Sequence, residues 1–234
     1  MERLDKVISN QTNYSRKDIK NLIKNKRIKI NNEIIYKSDI KINKDKDIIT
    51  IDNKILDIKK NIYLILNKPA CYISATEDKS NKTVLDLISP NYLYKNLFPV
   101  GRLDKDTTGL LILTDDGNFT HNILSPKKHI KKTYKVVIDI EITDEMITEF
   151  KKGVILNDGI CKSSILEKID KNTGIVTLTE GRYHQIKRMF GCFKAKVLEL
   201  ERIGMGNYKL PQNLKQGEYR ELTKEELDKI KEFI

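Results

Sequence analysis

Residues 98–117 read FPVGRLDKDTTGLLILTDDG, and this stretch decides the fold of the larger part of the chain. A polar loop carrying Arg102, Asp104 and Asp106 is followed at once by the apolar run Leu110 to Leu113. Short apolar runs of this length are typical of buried strands. Reactive side chains often lie on polar loops held by such a strand. The stretch therefore predicts a buried strand with a candidate reactive loop at its beginning.

Further strands are predicted on both sides of this stretch. Tyr63 to Leu66 is an apolar run that ends before Pro69, as expected of a strand stopped by proline. Residues 133–140 alternate, which places Tyr134, Val136, Ile138 and Ile140 on one face, and Ile175 to Thr179 forms another strand. Mixed with short helical patterns, these strands predict an α+β domain built on a mainly antiparallel mixed sheet with flanking helices.

The loop itself contains two candidate reactive carboxylates. Arg102 and Asp104 are two residues apart, so an extended backbone directs both side chains to the same side. Asp104 and Asp106 obey the same rule and could form a glycosidase-like pair. A turn in which Asp106, Thr107 and Thr108 bond backbone amides is the structural alternative. We favour the turn for these three residues and chemistry for Asp104.

A second cluster of unusual residues, EGRYHQIKRMF, occupies positions 180–190. Apolar residues recur there at helical spacing, which predicts an amphipathic helix with Ile186, Met189, Phe190 and Phe193 on the core. His184, Lys187 and Arg188 share another face. Such cations can contact phosphates or stabilise a nearby carboxylate, although a solvated basic face is the plain alternative. For His184, a hydrogen-bonded scaffold and a substrate contact stay open as alternatives.

The chain has 234 residues with 44 Lys and Arg against 33 Asp and Glu, a net charge of +11. Residues 1–60 carry +7 of this charge, which would attract a polyanion such as nucleic acid or an acidic membrane surface. The membrane is disfavoured, because no stretch approaches the roughly 20 apolar residues of a span and the first ten residues lack a signal-peptide run. We expect a cytoplasmic protein.

No cofactor or metal is expected. Cys71, Cys161 and Cys192 are far apart without the CxxC spacing of zinc or redox sites, so we expect ordinary buried thiols. The sequence also lacks a phosphate-binding GxGxxG or Walker loop, which agrees with the absence of a nicotinamide or flavin cofactor and disfavours a methyltransferase.

The N-terminal segment predicts two helices and a small sheet. Leu4, Val7 and Ile8 have helical spacing, and Ser15 to Asp18 is typical of a capping box that begins a second helix. Strands are predicted at Ile28 to Ile30, Ile34 to Tyr36 and Ile48 to Ile51, with a turn at Asn31 and Asn32. A polar linker is predicted at Asp52 to Asn61. The second helix has a basic face that bears Arg16, Lys17, Lys20, Lys24 and Arg27.

Residues 3–42, RLDKVISNQTNYSRKDIKNLIKNKRIKINNEIIYKSDIKI, resemble an S4 domain, a small RNA-binding module. The resemblance covers about the first 57 residues. It implies a domain of residues 1–57 that binds structured RNA through the second helix, followed by a catalytic domain of residues 58–234. A solvated helix face is the alternative, and the module alone implies no reaction.

Four motifs in one order resemble the S4-containing ribosomal pseudouridine synthases of bacteria: GRLD at 101–104, TGLLILTDDG at 108–117, KTY at 132–134 and EGRYHQIKRMF at 180–190. The resemblance implies an isomerase that converts uridine to pseudouridine without cofactor or metal. RYHQ at 182–185 and QGEYREL at 216–222 look most like the branch that acts on 16S ribosomal RNA; a 23S-specific synthase is the nearest alternative.

Transferred by position, the resemblance makes Asp104 the catalytic carboxylate and Tyr134 the aromatic that stacks on the target base. Lys187 becomes the ion-pair partner of Asp104, and Arg102 helps to hold the displaced nucleotide or fill its place. Further RNA contacts are expected from Arg182, His184, Gln185 and Arg188. The implied partner is 16S ribosomal RNA or the assembling small subunit, bound by a monomer.

Two other classes of function are alternatives to a pseudouridine synthase. A non-catalytic RNA-binding or ribosome-assembly factor would need only the N-terminal module. A glycosidase or base-excising enzyme would use Asp104 and Asp106 as a pair and release free base.

Overall fold

The computed structural model describes residues 1–58, 61–93, 96–125 and 128–231, which form two compact units. The first unit comprises Met1–Ile62 and Ile88–Leu97, and the second comprises Tyr63–Leu87 and Phe98–Ile234. The proposed functional division after residue 57 stays a prediction. No helix in the described ranges has the length and apolar character needed to cross a bilayer.

The first unit has three helices among its described residues, and the first two pack against a small sheet. Its elements are β1 (Glu2–Arg3), α1 (Leu4–Ser9), α2 (Arg16–Lys24), β2 (Ile28–Ile30), β3 (Glu33–Ile34), β4 (Lys41–Ile42), β5 (Ile49–Ile51), β6 (Lys54–Ile55) and α3 (Pro90–Leu93). The sheet order is β3-β2-β5-β6, and β1 pairs separately with β4. The predicted helices and strands are confirmed, with strand ends shifted by one or two residues.

The predicted capping box at the beginning of α2 is present. The Ser15 hydroxyl accepts from the backbone N–H of Asp18 at 3.2 Å, and the Asp18 carboxylate accepts from the N–H of Ser15 at 2.9 Å. The apolar face of α2, Ile19, Leu22 and Ile23, is buried in the core of the unit. The opposite, basic face is thereby left to solvent.

The prediction of a linker at Asp52 to Asn61 is wrong for its first part. Asp52 and Asn53 both have positive φ, at 53° and 61°, and they form the turn of a hairpin that pairs β5 with β6. Asp and Asn tolerate this left-handed conformation better than most residues, so a polar pair can make a tight turn inside a sheet. Residues 59 and 60 of the predicted linker lie outside the described residues.

The second unit is a mixed sheet with helices. Its elements are β7 (Tyr63–Lys68), a 3-10 turn (Val84–Leu87), β8 (Phe98–Pro99), β9 (Thr108–Thr114), α4 (Gly117–Leu124), β10 (Lys132–Ile138), α5 (Asp144–Lys152), β11 (Ile155–Leu156), β12 (Gly159–Ile160), β13 (Ile165–Lys168), β14 (Thr173–Leu178), α6 (Gln185–Gly191), β15 (Val197–Met205), β16 (Tyr208–Lys209), β17 (Tyr219–Glu221) and α7 (Lys224–Lys231).

Within the described ranges, nine strands form one sheet of order β13-β14-β10-β15-β9-β7-β17, with β16 on β15 and β8 on β9. The pair β15 and β9 is parallel, and the other neighbours are antiparallel. Helices α4 and α7 pack on β7 and β9 in one apolar core. The predicted α+β class with a mainly antiparallel mixed sheet is confirmed.

Most of the predicted strand and helix patterns in this unit are confirmed. β7 ends immediately before Pro69, β9 contains the buried run Leu110 to Leu113, and Tyr134, Val136 and Ile138 are buried along β10. The inward position predicted for Ile140 is wrong, because this residue follows the strand and is exposed.

The three cysteines are free thiols that differ in exposure. Cys161 is buried as expected, whereas Cys71 and Cys192 are exposed, so the prediction of buried thiols is wrong for these two. Cys71 has a positive φ of 70° in a turn after β7, and Cys192 follows the end of α6. Both residues lie where the chain turns, and their exposure cannot be predicted from the residue type alone.

Gly109 is the point where β9 meets β15 in parallel register, opposite Arg202. Its φ is +98°, and a Cβ at this position would lie 2.4 Å from the carbonyl oxygen of Arg202. We predict that Gly109→Ala lowers the free energy of unfolding by about 3 kcal/mol, because backbone strain and a steric clash coincide. Urea unfolding followed by circular dichroism measures the loss.

The matched control is Gly117→Ala at the beginning of α4, where an added Cβ would meet no atom within 4 Å. This substitution should change the free energy of unfolding little. Equal midpoints for the two variants would contradict the proposed tight contact between β9 and β15.

Candidate active site

Asp104 lies in a turn that leads into β9. Its carbonyl oxygen accepts from the N–H of Thr107 at 3.1 Å, so Lys105 and Asp106 occupy the centre of the turn. Leu103 is buried while Arg102 is exposed, and the Asp104 side chain is 28% exposed. The alternation expected for Arg102, Leu103 and Asp104 is therefore present, and the carboxylate is accessible without being fully solvated.

Ser74 holds the backbone of this loop. The N–H of Leu103 donates to the Ser74 hydroxyl, and the hydroxyl donates to the carbonyl of Leu103, both at 3.0 Å. Cys71 contributes a further bond from its N–H to the carbonyl of Lys105 at 2.9 Å. The segment that follows β7 thus fixes the residues on both sides of Asp104.

Lys68, at the end of β7, holds the same loop from within the protein. It is 0% exposed, and its ammonium donates to the carbonyls of Pro69, Lys105 and Thr107 at 3.0, 3.2 and 2.8 Å. Burial lowers the pKa of Lys68 to about 8, against the opposing effect of the negative charges of Asp106 and Asp104. A buried cation therefore lies beneath the two carboxylates.

Helix α6 brings two further groups to Asp104. The Nε2 atom of His184 lies 3.4 Å from Oδ1 of Asp104, and the Nζ atom of Lys187 lies 3.7 Å from Oδ2. The structure thus brings together three of the predicted site residues, from segments about 80 positions apart in the sequence. An opposite charge at this distance stabilises a carboxylate anion.

Lys187 is shared between two carboxylates, and its shorter contacts are to Asp106. Its ammonium donates to both oxygens of Asp106 at 2.6 Å. This bond is the main reason that the pKa of Asp106 is lowered. The prediction that the Asp106 side chain mainly bonds backbone amides is therefore wrong, although its backbone does lie in the predicted turn.

Arg182 and Gln185 make contacts that belong to the scaffold around the site. Arg182 donates to the carbonyls of Gly159 and Ile160 at 3.0 and 2.5 Å. Gln185 is buried and donates to Glu180 at 2.6 Å. These bonds hold the beginning of α6 and the hairpin of β11 and β12, so direct RNA contact by Arg182 and Gln185 stays a prediction.

Arg188 is engaged with the same hairpin. It donates to both oxygens of Asp158, at 3.1 and 2.5 Å. The sequence pattern groups Arg188 with His184 and Lys187, but its guanidinium pairs with Asp158 instead of Asp104. An RNA contact by Arg188 also stays a prediction.

Tyr134 lies in the sheet, two strands away from the beginning of β9. It is opposite Arg202 of β15, and Arg202 is opposite Gly109 of β9. Neighbouring strands are about 4.8 Å apart, which puts the Tyr134 backbone about 10 Å from that of Gly109. The tyrosine is 9% exposed. Its contact with a base stays a prediction, as does the role of the exposed Arg102.

Two buried cations in this region, Lys68 and Arg202, and the half-buried Lys132 were not predicted as site residues from the sequence. Arg202 is 2% exposed and donates from Nε to the carbonyl of Leu110 at 2.7 Å. Burial first, and then the charge of Arg202, lowers the pKa of Lys132 to about 8. The one available signal was a basic residue inside a strand pattern that is otherwise apolar, as at Lys68.

The predicted RNA-binding face of α2 belongs to the first unit. Arg16, Lys17, Lys20 and Lys24 are exposed on this helix. Arg27, after the helix, forms a two-pronged ion pair with Asp52, both bonds at 2.6 Å. The four helix residues are thus exposed cations, whereas Arg27 has a partner within the protein.

Comparison with known proteins connects this geometry to a family. Residues 62–191, which contain both the Asp104 loop and α6, match the family model of RNA pseudouridylate synthases. The chain belongs to this family. The match includes Lys68, Ser74, Asp104 and Lys187, so the residues that build the site lie within the region that the RNA pseudouridylate synthases share.

Similar synthases extend over nearly the whole chain. The uncharacterized RNA pseudouridine synthase YtzG of Bacillus subtilis is 40% identical, and the match covers 98% of each chain. The ribosomal small subunit pseudouridine synthase A of Escherichia coli is 37% identical over 97% of this chain and 99% of that protein. A crystal structure of a pseudouridylate synthase is also similar, with 35% identity, a TM-score of 0.70, and coverage of 98% and 100%.

The buried ammonium of Lys68 generates a prediction for this pseudouridylate synthase. Its pKa of about 8 lies below the ordinary value of 10.5, so the unfolded chain binds more protons at this side chain between these pH values. The contribution of Lys68 to the free energy of unfolding must therefore rise with pH across this window, by up to about 3 kcal/mol. Urea unfolding of the wild type and Lys68→Met is measured at pH 7, 8, 9 and 10. The free energy of unfolding of the wild type, relative to that of Lys68→Met, should rise above pH 8.

The matched control is Lys209→Met, which removes an exposed lysine of the same sheet. A difference between wild type and Lys68→Met that stays constant from pH 7 to 10 would contradict the burial of a charged ammonium in the folded chain.

Proposed function

We propose that this chain isomerises one uridine of small-subunit (16S) ribosomal RNA to pseudouridine, with Asp104 as the catalytic carboxylate. The observation that carries the proposal is the environment of that carboxylate, with His184 Nε2 at 3.4 Å and Lys187 Nζ at 3.7 Å. The small-subunit target is supported by the names of relatives such as the Escherichia coli enzyme. The RYHQ and QGEYREL motifs favour the same branch.

The reaction conserves atoms and electrons. The bond between C1' and N1 breaks, a bond between C1' and C5 forms, the proton on C5 leaves, and N1 gains a proton. The enzyme must therefore detach the base, turn it and reattach it while excluding bulk water. Fixed charges and a rigid loop suit this task, because the rearrangement depends on position and on a stabilised anion.

Asp104 acts as the anion in either of two routes. It attacks C1' or the base as a nucleophile, or it removes a proton from the sugar. Both routes need an ionised carboxylate in a partly dry site, and the Lys187 ammonium supplies the stabilising charge. Tyr134 stacks on the extruded base, and Arg102 at the exposed edge of the loop holds the displaced nucleotide.

Extrusion of a uridine from folded RNA costs a few kcal/mol, which other RNA contacts must offset. We assign these contacts to residues 1–57 as an S4 domain and the chemistry to residues 58–234. The exposed cations of α2, Arg16, Lys17, Lys20 and Lys24, are the side chains that contact phosphates. His184, Arg182, Gln185 and Arg188 would contact RNA near the target base.

We predict that Asp104→Asn abolishes turnover and leaves RNA affinity within a few fold, because the amide keeps the shape of the side chain but cannot act as an anion. Tritium release from 16S RNA that carries 5-tritiated uridine measures turnover, and filter binding measures affinity. Asp144→Asn is the matched control, since Asp144 is an exposed residue in the first turn of α5.

Normal tritium release by Asp104→Asn would remove Asp104 from the mechanism. The same assay separates the alternatives: a non-catalytic RNA-binding factor releases no tritium in its wild-type form, and a base-excising enzyme yields free uracil. Mapping pseudouridine in 16S and 23S RNA from cells with and without the gene distinguishes a small-subunit from a large-subunit synthase.

We predict that replacing Arg16, Lys17, Lys20 and Lys24 together by Gln weakens RNA binding and flattens its salt dependence. Each lost phosphate contact reduces the slope of log K against log salt by about 0.7 to 0.9, so four contacts remove about 3. Filter binding of 16S RNA between 50 and 300 mM KCl measures the slope.

The matched control is the replacement of Lys151, Lys152, Lys168 and Lys171 by Gln, which removes the same charge from the second unit. Equal slopes for these two variants would show that the effect comes from net charge instead of α2.

A further inference from the structure

Tyr183 is an exposed aromatic residue directly beside the Asp104 site. Its side chain belongs to the turn before α6, and the residue is 76% exposed. Its ring stacks on the imidazole of His184, with centroids 3.9 Å apart and an interplanar angle of 16°. Since His184 Nε2 lies 3.4 Å from Asp104, the Tyr183–His184 stack extends from the solvent-exposed surface to the Asp104 carboxylate.

Neighbouring groups hold the backbone of Tyr183 and His184 in place. His184 has φ 46° and ψ 35°, a left-handed conformation that is unfavourable for a residue with a side chain. Neighbouring groups hold it: Arg188 donates to the carbonyl of Tyr183 at 3.2 Å, and the N–H of Arg182 donates to Gln185 at 3.0 Å. Unusual backbone conformations that the surroundings maintain are concentrated at functional sites.

The ring of Tyr183 has one face on His184, and its exposure leaves the other face open. Tyr134, the aromatic residue assigned to the target base, is only 9% exposed and has little ring surface to offer a second base. An extruded uridine leaves its neighbours without a stacking partner, and exposed aromatic rings are the common replacement in proteins that bind unstacked nucleotides.

We infer that Tyr183 forms a nucleobase subsite, in which its outer face stacks on a base adjacent to the target uridine. The inference rests on the proposed function, because it takes the substrate to be RNA with an extruded uridine. His184 acts as the positioning residue that keeps the tyrosine ring parallel to its own. The subsite contributes to binding of the RNA and to the choice of its local sequence, while Asp104 does the chemistry.

The test compares Tyr183→Ala, which removes the ring, with Tyr183→Phe, which keeps it. Affinity is measured by filter binding of a 16S RNA transcript in the Asp104→Asn background, so no turnover occurs. Stacking of one base on an aromatic ring is worth roughly 5- to 100-fold in affinity. We expect about tenfold weaker binding for Tyr183→Ala and less than twofold change for Tyr183→Phe.

Steady-state tritium release in the Asp104 wild-type background provides the second readout. KM should rise about tenfold for Tyr183→Ala with kcat within about twofold, since a stacking contact at a neighbouring base acts on binding. Ile169→Ala is the matched control, because it removes an exposed apolar side chain after β13. Thermal melts of all variants verify that each is folded.

The inference is overturned if Tyr183→Ala binds the transcript as tightly as the parent protein, if Tyr183→Phe loses as much affinity as Tyr183→Ala, or if only kcat falls. Failure of the proposed function is a separate result. If the wild type forms no pseudouridine, that function is excluded, while the filter-binding comparison still decides whether the Tyr183 ring contacts RNA.

Discussion

The ammonium of Lys68 donates to three backbone carbonyls on two segments, and these bonds hold the loop that carries Asp104. Removing a lysine charge from water is costly unless its hydrogen bonds are satisfied, and here Pro69, Lys105 and Thr107 satisfy them. The carboxylates of Asp104 and Asp106 add a favourable field. Because two of the three carbonyls lie in the turn after Asp104, the buried charge holds the Asp104 loop against β7.

The sharing of Lys187 follows from the same turn. Asp106 takes both short bonds of the ammonium, whereas Asp104 is 3.7 Å away. A carboxylate in a tight two-pronged bond would have to break that bond before attacking a sugar or removing a proton. In the proposed mechanism, anchoring Lys187 on Asp106 lets the lysine charge act on Asp104 while the oxygens of Asp104 stay available for the reaction. Under this proposal Asp106 anchors Lys187 and is not the second reacting carboxylate of a glycosidase-like pair.

Local structure is predictable from the sequence where one short pattern of residues determines it. The capping box at Ser15, the buried strand after Gly109 and the apolar stripe of α6 are all read from neighbouring residues. Motif resemblance then brought Lys187 to Asp104 across about 80 residues, which periodicity could not do. The roles proposed for the site residues, including Tyr134 and Arg102, rest on that resemblance and on the proposed chemistry.

The wrong predictions, and the contacts that the sequence did not reveal, arise from interactions that only tertiary structure creates. A polar stretch such as Asp52 and Asn53 fits a linker or a tight hairpin equally well, and pairing of β6 with β5 decides between them. Charged side chains such as Arg188 look alike in a sequence whether they face solvent or a carboxylate like that of Asp158.

The cations of this chain therefore divide into two physical classes. Exposed ones, such as Lys17 and Lys20 on α2, keep their hydration, and in the proposed function they exchange it for RNA phosphates, which gives a salt-dependent attraction. Buried ones, such as Lys68 and Arg202, donate hydrogen bonds to backbone carbonyls and hold neighbouring segments in place. Net charge counts both classes equally, although only the first can attract RNA from a distance. The proposed mechanism needs both kinds, because it draws a base out of a folded polyanion and then holds that base beside the fixed carboxylate of Asp104.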